Sequence, residues 1–243
     1  QMTAGTGVSA ILTEIGSLRT FGVALTLGVF FLAQRLHRRC PSPVTHPLLI
    51  SSLGIIMFLE LAGIDYAAYN QGGQVISFFL GPATVALGVP LYRRAEEISR
   101  HKLMILASIG AGATAAMLVA ATVVKLLGGG PHLVLSMLPK SVTTPIAVEI
   151  SGIIGGEATL TSVFVVLTGL LGAMFGPELL RACGVRDDKA LGLALGTAAH
   201  GIGTGRALKE GENVGAYSGL AMGLAGLFTA ILAPLAAIFF RRF

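Results

Sequence analysis

The chain has 243 residues, of which 53% are hydrophobic and 12% charged, with a formal net charge of +5. Soluble proteins carry roughly 25% charged residues, so a water-soluble globule is excluded. The basic excess sits at the ends of apolar runs rather than on one polar surface, which excludes nucleic acid as a partner.

Residues 1–18 mix small, polar and apolar side chains without a basic start, and are read as an N-terminal tail or short interfacial helix. Residues 19–243 are read as one transmembrane domain, because uncharged stretches at 20–34, 40–59, 66–92, 103–124, 158–177, 190–205 and 213–240 lie near the ~20 residues that span a bilayer. The first ends in Arg35, His37, Arg38 and Arg39, a cluster that holds it in the cytoplasm. Pro47 to Ile64 returns outward with Glu60 inside it, and Asp65, Tyr66, Tyr69, Asn70 and Gln71 are expected to form a polar turn. Residues 75–92 cross inward to Arg93, Arg94, Arg100 and Lys102, and 103–127 cross outward to the turn Gly128–Pro131.

Leu133 to Ile150 is broken by Pro139, Lys140 and Pro145 and is taken as re-entrant. A full crossing would put the basic residues 181–189 and 241–242 outside. On this reading 157–180 run inward, 190–207 outward, and 213–240 inward to Arg241 and Arg242. The fold class expected is an all-α polytopic membrane protein with about seven transmembrane helices plus broken or re-entrant helices. An inverted repeat of transporter type is weighed by aligning 81–92 on 140–151, which superposes Thr84 on Thr143 and Val89 on Val148. Glycine is abundant, with 33 residues, and tryptophan absent, which suits helices packed through small residues.

Three segments argue for broken helices: Gly81-Pro82 to Pro90, Leu138-Pro139 to Glu149, and Gly196 to Arg206. In the second, Thr144 is expected as N-cap and Pro145 as first helical residue. Backbone groups freed at such breaks face protein or a wet cavity, and half-helix N-termini aimed there favour anions. The candidate substrate-binding residues are Lys140, Ser141, Thr143, Thr144, Thr84, Thr197, His200, Thr204 and Arg206. Lys140 is either a substrate cation at membrane depth or a snorkelling lysine, and Arg206 is either a carboxylate ligand or a membrane-edge cation. Glu149, Glu60 and His200 are the candidates for proton coupling, with Glu157 a further buried-acid candidate.

Residues 81–87, 138–147 and 193–204, with Glu210, Gly211, Gly215-Ala216 and Leu220–Met222, strongly resemble the LrgB/CidB family. The likeness covers about residues 18–240 and extends to the membrane half of the plastidial glycolate/glycerate translocator. It implies a multi-pass bacterial inner (cytoplasmic) membrane protein. Two activities are implied for the family: transport of small carboxylates such as glycolate, glycerate, pyruvate or lactate, and antiholin-like regulation of murein hydrolase activity with a small LrgA/CidA-type membrane protein. The expected partners are a small carboxylate, membrane lipid, that small membrane protein and further copies of the chain. Gly205-Arg206 stands where the family pattern suggests alanine-arginine, and Gly219 where serine is common.

Ser99-Arg100-His101-Lys102 and Gly201–Gly205 match enzyme motifs only superficially, without partner residues or a preceding strand. Cys40 and Cys183 sit beside basic residues and read as reduced thiols without metal-site spacing. No enzyme activity, metal or cofactor is expected.

Overall fold

The computed structural model describes residues 19–40, 42, 45–79, 82, 85, 86, 88–93 and 95–242. The expected tail 1–18, and Gly81 and Thr84 of the first broken segment, lie outside the described residues. The chain divides into two compact units, residues 1–86 and 87–243. Among the described residues all regular structure is helical.

In the first unit α1 (Arg19–Arg39) packs against both α2 (Pro47–Ala62) and α3 (Tyr66–Phe78). Gly63, at φ 65°, ends α2 in the left-handed conformation that glycine adopts without steric cost. Asp65 then accepts from the Ala67 N–H at 3.1 Å and caps α3. The polar cluster expected as a turn is therefore a helix start, with Tyr66, Tyr69, Asn70 and Gln71 inside α3. Gly22 lets α3 lie close, since a Cβ there would come within 2.9 Å of Gly72 Cα. The Thr26 and Tyr69 hydroxyls join across this contact at 2.8 Å.

The second unit starts with short α4 (Gly88–Arg93) and α5 (Ala95–Arg100). It continues through α6 (Lys102–Leu126), α7 (Pro131–Met137), α8 (Thr144–Ile154), α9 (Ala158–Ala182), α10 (Asp188–Glu210) and α11 (Glu212–Arg242). Four helices among the described residues are long and apolar enough to cross a membrane, rather than seven: Thr20–Arg39, Lys102–Leu126, Ala158–Ala182 and Glu212–Arg241.

A regular pattern underlies the three long helices of this unit. Buried positions are 105, 109, 113, 117 and 121 in α6, and 161, 165, 169, 173 and 177 in α9. In α11 they include 217, 221, 225, 229 and 233, so one series recurs at displacements of 56 residues (105, 161, 217). Rows of i, i+4 residues are the ridges that pack into neighbouring grooves, and here they carry mostly Ala, Gly and Thr, which allow close backbones. Positive-φ glycines fall on the same frame, Gly128 with Gly184 and Gly155 with Gly211. Residues 102–155 and 158–211 thus repeat one design: a long helix, a glycine turn and a re-entrant hairpin. This register differs from the 81–92 on 140–151 alignment considered from sequence.

The two copies run in opposite directions. α6 leaves the end that bears Lys102 and reaches the end that bears Lys125, where Lys125 Nζ lies 5.9 Å from the Phe240 ring centroid. There α7 and α8 form a hairpin: Val134, Leu135 and Leu138 pack against Ile150 and Ile154. Its ends rejoin where His132 Nδ1 meets Gly155 O at 3.2 Å, and Arg241 donates to Ile154 O at 2.6 Å. Residues 133–150 thus fold back on themselves, broken where the sequence places its prolines. α9 then runs back to the first end.

α10 is not a straight rod. His200 has φ 43° and ψ −136°, and the chain doubles back after it. A Cβ on Gly203 would lie 2.6 Å from Ala199 Cβ and 2.7 Å from Leu195 O, a proximity that a continuous helix does not permit. Residues 190–207, expected to cross outward, instead enter from the first end and return to it. Only α11 then crosses, so Arg241 lies at the opposite end from residues 181–189 and not, as expected, at the same end.

Candidate functional site

The two hairpin tips meet against α11. A Cβ on Gly201 would lie 3.9 Å from Thr143 Cγ2 and 3.7 Å from Met222 Sδ, which joins both hairpins and α11 at one point. Thr143, not Thr144, is the N-cap of α8, and its side chain makes no cap hydrogen bond. Pro145 has no N–H to offer, so the exposed positive end of this half-helix rests on the amides around Thr144 and Ile146. The return arm of the second hairpin begins at Gly201, and its N-terminus faces the same region.

Lys140 stands on the first tip, half-buried, and donates to Ser141 Oγ at 3.0 Å. Among the described residues no carboxylate pairs with it. Ser141 is buried, and Thr143 and Thr144 are half-buried. On the second tip His200 is buried, and its Nε2 lies 3.0 Å from Val165 O. A carbonyl only accepts, so Nε2 carries the proton in this contact. Gly169 makes room for the ring, because a Cβ there would lie 2.8 Å from its Cε1 and Nε2. Thr204 Oγ1 donates to His200 O at 2.8 Å and contacts Ser218 Oγ at 2.9 Å, which fixes the turn to α11.

Other candidates lie apart from the tips. Arg206 pairs with Glu178 at 2.8 Å and Glu210 at 2.6 Å, and Arg181 also pairs with Glu210. These four residues fasten the base of the second hairpin to α9. Glu149 is exposed on α8, Glu157 is exposed at the N-cap of α9, and Glu60 is exposed in the first unit. No group of three metal-ligating side chains occurs among the described residues.

A cavity of about 700 Å³ opens at the first end between α6 and the entering arm of the second hairpin. His101, Asp187 and Lys189 lie at its mouth, Ser108 and Tyr217 on its walls, and Thr197 at its inner end. Sequence reasoning marked Thr197 but missed Ser108 and Tyr217. The only signal for Ser108 was helical spacing from His101 to Gly112, which a lipid-facing stripe shares, and Tyr217, on α11, carried none.

Crossing helices with opposed re-entrant hairpins define a polytopic helical membrane protein. The chain belongs to the LrgB-like family, whose model matches residues 26–239. It is similar to the protein YwbG of Bacillus subtilis, 37% identical over 86% of this chain and 93% of that one. It is also similar to the holin-like protein CidB of Staphylococcus aureus, 34% identical over 90% of this chain and 95% of that one. No solved structure matches it.

Proposed function

We infer that the protein is a secondary transporter of small monocarboxylates, such as glycolate, glycerate, pyruvate or lactate, across the bacterial inner membrane. The supporting observation is the meeting of two re-entrant tips beside Lys140, which has no carboxylate partner among the described residues. Two half-helix N-termini, each worth about half a positive charge, and a lysine together favour an anion. The hydroxyls of Ser141, Thr143 and Thr144 supply donors for a 2-hydroxyacid. A cation at bilayer depth costs at least ~2.5–3.5 kcal/mol, and a bound carboxylate offsets that penalty. A proton or sodium gradient supplies the energy, and His200, at the tip, is the coupling candidate that geometry favours over the exposed Glu60 and Glu149.

The end bearing Arg93, Arg100, Lys102, Arg181, Arg186, Lys189 and Lys209 outweighs the end bearing Lys125, Arg241 and Arg242, which supports a cytoplasmic first end. Uptake of radiolabelled carboxylates into proteoliposomes under imposed proton and sodium gradients tests the reading. Uptake that Lys140→Met abolishes supports it, and no flux of any of the four acids sinks it.

A second reading draws on the name holin-like protein CidB carried by the Staphylococcus aureus relatives. The chain would then be an antiholin-like regulator of murein hydrolase activity, acting with a small LrgA/CidA-type membrane protein or as a homo-oligomer and moving no solute. Under that reading Lys140→Ala leaves the lysis phenotype intact, whereas the transport reading requires its loss.

A further inference from the structure

We propose that the 700 Å³ cavity between α6 and the entering arm of the second hairpin is a water-filled antechamber. Through it a small organic anion passes from the Lys102 end to the hairpin tips. The proposal rests on the transport reading and names the route to its site. Three features carry it.

The first is extent. The cavity begins at His101 and Lys189 and reaches Thr197, one helical turn before His200, where Gly112 packs against the Thr197 methyl. The second is content. The polar side chains of His101, Asp187 and Lys189 stand at its mouth, and Ser108 and Thr197 lie deeper among the apolar Met104, Ile105 and Leu193, whereas an acyl chain has no use for the polar groups. At ~30 Å³ per water the space holds about twenty waters, far more than a two- or three-carbon acid fills. The third is the contrast with the other end. There Met117, Leu135, Leu138, Ile150, Ala237 and Phe240 form a closed apolar core around the first hairpin, and Arg241 seals its base on Ile154 O. The conformation is open toward one end and shut toward the other, as a carrier with a central site requires.

The test uses single cysteines in full-length protein whose native Cys40 and Cys183 are serine. Ser108→Cys and Ala198→Cys line the cavity, and Val119→Cys, on the apolar outer surface of α6, serves as the lipid-facing control. Protein retaining only the exposed native Cys183 provides the rate standard for the first end. A membrane-impermeant sulfonated thiol reagent should modify both cavity cysteines from the Cys183 side only, at rates comparable to Cys183, and leave Val119→Cys untouched. Glycolate should slow modification of Ala198→Cys. Modification of the cavity cysteines only by a lipid-soluble maleimide would show a groove filled by lipid and overturn the proposal, whatever the transport assay reports. Modification by the impermeant reagent together with absent flux and absent protection would keep the wet cavity but overturn its role as a substrate route, and with it the transport reading.

Discussion

His200 Nε2 donates to Val165 O across 3.0 Å, and His200 is the one non-glycine residue with positive φ among the described residues. A side chain held in this region costs roughly 1–3 kcal/mol, and such strain persists only where its surroundings enforce it. Glycine relieves the strain, whereas alanine keeps it and loses the hydrogen bond. His200→Gly should therefore unfold in detergent at a higher temperature than His200→Ala, by an amount equivalent to ~1–2 kcal/mol. Both should lose carboxylate uptake if the imidazole serves the site. Equal stability of the two variants would mean that the turn is not strained as described.

Gly169 belongs to the buried series whose counterparts in the neighbouring helices are Ala113 and Ala225. It is glycine because the His200 ring occupies the place of a methyl. Gly169→Ala should expel the imidazole from its bond to Val165 at a cost of ~1–3 kcal/mol. Alanine to glycine at 113 or 225, where no imidazole intrudes, should cost only the ~1 kcal/mol of helix propensity plus a small void. Thermal melts of the three variants check the ranking.

The parts of this architecture that sequence made legible are those written in residue chemistry. Pro139 and Pro145 remove backbone donors, so the first hairpin is visible as a break, and Lys140 stands out as a lone charge. The second hairpin is not visible in the same way, because a run of Gly and Ala weakens a helix without saying that it reverses, and the reversal falls on a histidine. The repeat is hidden because its copies share a spacing of buried positions rather than residue identity or size, as Ile105, Thr161 and Tyr217 show at one equivalent position. Arg206 looks like a free cation until folding brings Glu178 and Glu210 to it.

Glycines on the second hairpin differ sharply in what they permit. A Cβ on Gly196 would strike the Ser218 carbonyl and stand 2.9 Å from Ala221 Cβ, and backbone cannot yield there. Gly205 has nothing within 4 Å. Gly196→Ala should reduce folded protein in the membrane, with a penalty of ~3 kcal/mol or more. Gly205→Ala should leave it unchanged or stabilise it by about 1 kcal/mol through helix propensity. Size-exclusion yield and melting temperature measure both.

Glu210 holds Arg181 and Arg206 together, and its side chain is only 11% exposed. Glu210→Gln leaves both guanidinium groups to the more exposed Glu178, so it should cost ~1–3 kcal/mol and loosen the base of the second hairpin. Glu178→Gln, more than half exposed, should cost ~0–1 kcal/mol. Protease cleavage near residues 206–212 should rise in the first variant and not in the second. Equal cleavage would remove Glu210 as the fastening residue.

The meeting of the tips makes the most direct geometric prediction. A disulfide needs Cβ atoms ~3.5–4.5 Å apart, and a Cβ on Gly201 would lie 3.9 Å from Thr143 Cγ2, itself one bond from Thr143 Cβ. Thr143→Cys with Gly201→Cys, in protein whose native cysteines are serine, should crosslink under mild oxidation. The bond would tie together two hairpins that enter from opposite ends, so uptake should stop on oxidation and recover on reduction. Thr143→Cys with Gly205→Cys, one turn further along the return arm, should remain reduced under the same conditions. If neither pair crosslinks while every single thiol reacts with a small maleimide, the tips do not meet. If both pairs crosslink equally, the return arm slides too freely for the contact to define a site.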